Sequence, residues 1–196
     1  MTQALPAKHR TRIHVVVCST RPSRIGPAIA QWFMRAAQPY AAADLCLVDL
    51  AEFALPVFDE PKHPRLRQYA HDHTLRWAAS VDRADAFVFV TPEYNYGPPP
   101  SLLNAMTYLV HEWKYKPLAF VSYGGVSGGL RGVQVTKQVA TTLRMVPIFE
   151  AVVIPGAPTQ INAEGVFVPN ALQEASVAPL LEELDRLATA LSVLRR

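Results

Sequence analysis

The fold turns on one stretch, Val15–Phe33, "VVVCSTRPSRIGPAIAQWF". A β-branched run ends at Cys18, eight residues rich in Ser, Thr, Arg, Pro and Gly follow, and an apolar pattern at helical spacing then begins. Ile25, Ala28, Ile29, Trp32, Phe33 and Ala36 form that pattern, with Pro27 in the first turn, where a missing N–H is tolerated. A buried strand that feeds a buried helix through a short turn is the first half of a strand–helix–strand unit. Two arginines in such a turn call for an anion.

Outward from this stretch, the same alternation recurs. Strands are predicted at Arg12–Cys18, Leu45–Leu50, Ala86–Thr91, Leu118–Tyr123 and Ile148–Ile154. These runs are continuously apolar rather than alternating, as for parallel strands covered on both faces. Helical patterns lie between them. One spans 66–81, with Leu66, Ala70, Leu75, Ala78 and Ala79 as inward positions, and another carries Leu102, Leu103, Met106, Leu109 and Val110. Further helices are predicted over 132–143 and 177–194, the last ending in Arg195 and Arg196, cations suited to a helix C-terminus. Five alternations imply an α/β fold with a doubly wound parallel sheet and helices on both faces. Residues 155–169 read as a surface excursion or an interface element.

The 196 residues suit a single domain, 1–196, with 1–11 as a flexible tail. Half the residues are hydrophobic and 18% are charged, which excludes a disordered chain. A net charge of +3 with scattered basic residues favours small anions and argues against nucleic acid. The polar N-terminus lacks a signal-peptide core, and no apolar run reaches the roughly 20 residues of a membrane span, so a cytoplasmic protein is expected. Cys18 and Cys46 fall in strand-like runs and are expected as buried thiols. No zinc spacing occurs, and His71 and His73, at i and i+2 of a predicted helix, would not share a face, so no metal is expected. Asp49, Glu52, Asp59 and Glu60 read as a solvated loop, and Trp32, Trp77 and Trp113 as core or interface.

In an open parallel sheet, ligands bind outside the carboxyl ends of the strands. Three loops there are unusual. "STRPSRIG", Ser19–Gly26, joins hydroxyls and two arginines to the positive end of a helix. "TPEYNYGPPPSLLNAM", Thr91–Met106, is stiffened by three prolines and offers Tyr94, Asn95 and Tyr96 as a flat surface with amide groups. "SYGGVSGGLRG", Ser122–Gly132, lets backbone approach a ligand closely. Its Gly124–Gly129 segment has phosphate-loop spacing but carries Leu130 and Arg131 where Lys and Ser/Thr are required. "GVSGG" matches a nucleophile elbow around Ser127, yet all six histidines precede it, against the order of a serine hydrolase of that class. That hydrolase is the remote alternative.

With these loops in this order, the chain resembles the NADPH-dependent FMN reductase family, which includes quinone, azo-dye and chromate reductases. The resemblance rests on "STRPSRIG", on "PEYN" at Pro92–Asn95 with the "LNA" helix at Leu103–Ala105, and on "SYGGVSGG" at Ser122–Gly129. It implies a flavodoxin-like sheet of order 2-1-3-4-5, FMN as cofactor, NADPH or NADH as donor, and a quinone, azo compound, free flavin or similar small acceptor. It further implies that Ser19, Arg21 and Arg24, with the backbone at Gly26, hold the FMN phosphate. Pro92, Glu93, Tyr94 and Asn95 would line the isoalloxazine, and Ser122, Tyr123, Gly124 and Gly125 its other side or the ribityl chain. Leu103 and Thr107 stand where many members carry Lys and Asp. No catalytic side chain is implied, because the chemistry belongs to the flavin, while Tyr94 and Tyr96 would shape the acceptor pocket. A homodimer or homotetramer is expected, through apolar surface around Tyr108–Trp113. The alternative is a non-catalytic flavodoxin-like electron carrier or redox-sensing flavoprotein, although the positive net charge disfavours an acidic carrier.

Overall fold

The computed structural model describes residues 10–40 and 43–195. Five strands, β1 (Thr11–Val17), β2 (Ala43–Asp49), β3 (Ala86–Pro92), β4 (Pro117–Tyr123) and β5 (Val146–Ile154), form one parallel sheet in the order β2-β1-β3-β4-β5. This is the flavodoxin-like order, in which the chain reverses winding direction between β1 and β3 and so opens a crevice there. The expected tail 1–11 lies outside the described residues up to 9, and Thr11 already belongs to β1.

Side-chain alternation divides the core in two. Ile13, Val15, Val17, Val88, Val90 and Val121 face α1 (Gly26–Ala36) and α6 (Val177–Leu191). Val16, Cys18, Phe87, Phe89 and Phe120 face α2 (Asp72–Arg83), α3 (Pro100–Thr107) and α4 (Leu130–Thr142). On that second side Trp77, Trp113, Phe87 and Phe89 pack edge-on, and the Trp77 indole N–H donates to the Ala105 carbonyl at 2.9 Å. All three tryptophans are buried.

Several expectations from sequence are corrected here. Only the inner strands are covered on both faces; β2 and β5 are edges, so Cys46 and Leu47 are exposed and Phe149 is 94% exposed. The helix expected over 66–81 starts at Asp72, preceded by a short 3-10 turn over Pro64–Leu66. Its inward face is accordingly Thr74, Trp77, Ala78 and Val81, while Leu66, Leu75 and Ala79 point outward. His71 stands in extended backbone just ahead of α2, which lets its ring stack on His73 at 5.2 Å. Glu60 is buried rather than solvated, because it accepts the N–H groups of Ala70 and His71 that the start of α2 leaves free. Tyr108, Leu109 and Trp113 are fully buried in this chain's own core and so supply no free surface.

Residues 155–169 contain a 3-10 turn over Ala157–Gln160 and a narrow Ile161–Phe167 antiparallel bridge. The bridge seats Phe167 against Trp32, with ring centroids 5.1 Å apart. An unforeseen short helix, α5 (Ala171–Ala175), follows behind a capping box at Asn170 and Gln173, and its Glu174 accepts the Trp32 indole N–H at 2.8 Å.

His14, inside β1, is almost fully buried with its ring edge-on to Phe87. Burial, reinforced by the charges of Arg83, Lys116 and Arg12, lowers its pKa to about 4. The unfolded chain therefore binds a proton near pH 6.5 that the folded chain refuses until about pH 4, so stability falls as pH drops through that window. Between pH 7 and pH 5 this single group removes about 2 kcal/mol. Urea denaturation at both pH values should show the His14→Gln variant losing about 2 kcal/mol less than the parent over the same interval.

Candidate functional site

The loops after β1, β3 and β4 meet at the carboxyl edge of the sheet. The end of β1 is fixed first: the Cys18 N–H donates to the Val90 carbonyl at 3.0 Å, and the Ser101 hydroxyl donates to the Cys18 carbonyl at 2.6 Å. The chain then turns, with Ser23 at φ +58°, and enters α1 behind Ile25 with no side-chain cap. The free N–H groups at this helix start, with the helix dipole, are of a kind suited to an anion. The two arginines separate in role. Arg21 is exposed, whereas Arg24 donates to Asp49 at the end of β2 at 2.5 Å, and its buried Nε has no protein partner.

Ser19 is buried, and its hydroxyl shares a 2.7 Å hydrogen bond with the Tyr94 hydroxyl. Tyr123 also lies under this loop. A Cβ at Gly26 would come within 2.8 Å of the Tyr123 hydroxyl, so only glycine allows α1 to start this close to β4. Burial pushes the Tyr123 phenol far above its ordinary value, against the opposing charges of Arg21 and Arg24. It is therefore a neutral hydroxyl beside the helix start.

The second loop closes as a tight turn. Tyr94 and Gly97 exchange both backbone hydrogen bonds, at 2.8 and 2.9 Å, and the two residues between them, Asn95 and Tyr96, have positive φ. Pro99 and Pro100 then start α3, where a proline needs no N–H partner. Glu93 precedes the turn and faces the third loop. It accepts from the Ser127 hydroxyl at 2.7 Å and from the Arg131 N–H at 3.0 Å, and it pairs with the Arg131 guanidinium at 3.2 Å. Burial alone would raise this carboxyl; the Ser127 and Arg131 hydrogen bonds and the guanidinium charge outweigh it and hold the group below its usual value.

The third loop is tied to β5. The Gly124 N–H donates to the Ile154 carbonyl, while the Gly125 and Gly124 carbonyls accept from the N–H groups of Gly156 and Ala157. Gly129 sits at φ +90°, and a Cβ there would lie 2.8 Å from the Tyr123 nitrogen. Gly125 faces open space, and the Ser122 hydroxyl is buried without a protein partner.

The structure thus gathers the residues singled out in the sequence on one edge, with altered parts for some. Glu93 ties two loops together, and Arg24 is fastened to Asp49, whose carboxylate also caps the 3-10 turn beginning at Leu50. The Ser127 hydroxyl braces Glu93 and accepts from the Gly129 N–H, so it is a loop brace rather than an activated nucleophile. Asp49, expected in a solvated loop, instead ends β2 and pairs with Arg24, while Ser101 and Arg131 are not singled out as site residues by the sequence. Arg131 was visible as a departure from phosphate-loop spacing; Ser101 carries no local signal. Chemically, the edge offers an uncapped helix start with a free arginine for an anion, beside backbone loops and buried hydroxyls for a planar polar group. Among the described residues no cluster of His, Cys, Asp and Glu is placed to hold a metal ion, and no helix is long and apolar enough to cross a membrane.

A family model described as NADPH-dependent FMN reductase matches residues 11–159. The chain is 40% identical over 148 residues to an NAD(P)H-dependent FMN reductase of Schizosaccharomyces pombe, covering 74% of each chain. It is 32% identical over 152 residues to an NAD(P)H-dependent FMN reductase of a Nectria species, covering 74% of this chain and 76% of the relative. In fold it is similar to FerB, a flavoenzyme NAD(P)H:(acceptor) oxidoreductase from Paracoccus denitrificans, with a TM-score of 0.66 at 21% identity over 93% of this chain and 97% of that one.

Gly132 tests the packing of α4 on the aromatic turn. A Cβ there would lie 2.8 Å from the Gly97 carbonyl oxygen. Glycine to alanine inside a helix ordinarily stabilises by about 1 kcal/mol. Here the clash should reverse the sign, and Gly132→Ala should lower stability by about 1–3 kcal/mol in urea denaturation.

Proposed function

The chain belongs to the NADPH-dependent FMN reductase family, and from that membership we propose that the edge built by its three loops is the FMN site of an NAD(P)H-dependent oxidoreductase acting on quinones or related small acceptors. The observation that carries this reading is the uncapped start of α1 beside exposed Arg21, buried Arg24 Nε and the neutral Tyr123 hydroxyl. Unpartnered buried donors at a helix start fit a dianionic phosphate.

When bound, FMN supplies the two-electron chemistry between NAD(P)H and the acceptor. The chain's own part is to bind, orient and tune. Ser19, Arg21, Arg24 and the Gly26 backbone hold the phosphate. Asp49 takes one edge of the Arg24 guanidinium and leaves Nε for the ligand. Pro92, Tyr94 and Asn95 line the ring, while Glu93 contributes by fixing the glycine loop opposite. Ser122, Tyr123, Gly124 and Gly125 complete the far wall, where the Ser122 hydroxyl can meet a polar ligand atom. Preorganised donors of this kind favour developing negative charge without reorganisation. No general acid or base is required of a side chain.

In this reading the chain is one domain acting in the cytoplasm. Copies assemble as a homodimer or homotetramer. A carrier or sensor without turnover is the competing reading, and kinetics separate the two.

The purified protein reconstituted with FMN should be yellow, lose its flavin absorbance on anaerobic NADPH, and regain it with a quinone at many turnovers per flavin. Bleaching without multiple turnover would assign a carrier or sensor instead. Within the phosphate loop, Arg21→Ala should weaken FMN binding by about 1.5–3 kcal/mol, the loss of a charge-assisted hydrogen bond. Riboflavin, which lacks the phosphate, should bind parent and variant alike in the same fluorescence titration.

A further inference from the structure

The turn after β3 adopts a form that one of its residues disfavours. Asn95, at φ +50°, is a residue type that enters the left-handed region readily, but Tyr96 sits there too, at φ +68°, where a bulky side chain is seldom found, while the glycine of the turn stands one place later at Gly97. Such strain persists only where the surroundings impose it, and it collects at functional sites. Here the surroundings are the first turn of α4. The Arg131 guanidinium lies over the Tyr96 ring, 4.1 Å from its centroid, while its Nη1 meets Glu93 at the head of the same loop. A planar guanidinium can stack on a ring and meet a carboxylate with its edge; a lysine ammonium cannot do both. Because Glu93 balances its charge, Arg131 acts here by geometry rather than as a free cation. Tyr96 as a residue is 67% exposed with the guanidinium on one face of its ring, which leaves the other face toward solvent at the site's rim.

We propose that Arg131 is a positioning residue that holds Tyr96 as a fixed stacking platform, favouring electron acceptors with a planar aromatic ring. The inference rests on the flavin reading of the site and names the specificity device of that site. A tyrosine already fixed by a guanidinium has less rotamer freedom to lose when an acceptor stacks on it, and this preorganisation appears as lower KM.

The full chain, loaded with FMN and supplied with NADPH, is assayed with menadione. Arg131→Met should raise the menadione KM about 5-fold and change kcat less than about 2-fold. In a Tyr96→Leu background the same change should move KM less than about 1.5-fold, because Arg131 acts through the ring. Arg131→Lys keeps the charge and should fail to restore KM. Amide hydrogen exchange on the flavin-free full chain supplies a readout without turnover: the Gly97 N–H should exchange about 10-fold faster in Arg131→Met, while Val121 in β4 is unaffected. Equal KM effects in both backgrounds, or an unchanged Gly97 exchange rate, would overturn the proposal. A parent protein that binds no FMN overturns the flavin reading and the platform's role with it, whereas one that binds FMN and is bleached by NADPH but reduces no menadione overturns the platform's role alone. Faster Gly97 exchange in that case would show that the hold of Arg131 on the turn is real and that the failure lies in the assigned chemistry.

Discussion

The Glu93 carboxylate receives the Ser127 hydroxyl and the Arg131 N–H while facing the Arg131 guanidinium, and its own backbone N–H donates to the Tyr123 carbonyl. One residue therefore joins the end of β3 to the end of β4, the glycine loop and the first turn of α4. A carboxylate at a helix start satisfies N–H groups that the helix cannot, and it does so more strongly for being charged. Glu93 braces the glycine loop, Gly132 rests on the Gly97 carbonyl, and Tyr96 is held at positive φ. The first loop, after β1, joins through the Ser19–Tyr94 hydrogen bond. All three loops thus form one connected polar frame on a buried sheet edge.

Electrostatics on that edge follow a division of labour. Asp49 balances Arg24 and Glu93 balances Arg131, so these two arginines hold protein to protein, while Arg21 is left exposed beside the uncapped start of α1. Burial keeps Tyr123 and Cys18 neutral, since both are raised above their ordinary values by desolvation first. The Cys18 thiol therefore stays unreactive below the loop after β1. The positive end of the helix and one exposed cation are what that edge presents to solvent.

Legibility in the sequence varied with the range of the physics involved. The inner strands announced themselves because burial on both faces forces continuous apolar runs such as "AFVFVT" at Ala86–Thr91. The same reasoning misled at Cys46, where the run belongs to an edge strand that has no neighbour beyond it. The stripe over 66–81 begins six residues ahead of the helix it marks, because the break at Arg67, at φ +50°, and the extended backbone at His71 leave no mark in the apolar pattern. Tyr108 and Trp113 looked like interface and proved to be core, a distinction that depends on Phe58, Trp77 and Phe87 arriving from elsewhere in the chain.

By itself the sequence determined the alternation of strands and helices, the placing of three polar loops at strand ends, and the family to which those loops belong. These are local matters: strand runs, helical periodicity and the glycine, proline and arginine content of short turns act within a few residues. Tertiary structure alone decided which arginine is free and which is fastened, that Glu93 faces Ser127 and Arg131 rather than standing alone in its loop, and that Tyr96 lies beneath a guanidinium 35 positions away. Those outcomes depend on partners brought together by the parallel pairing of β1 with β2 and of β3 with β4. Charge pairing falls off with distance in space, not along the chain, so no stretch of sequence read in isolation carries it.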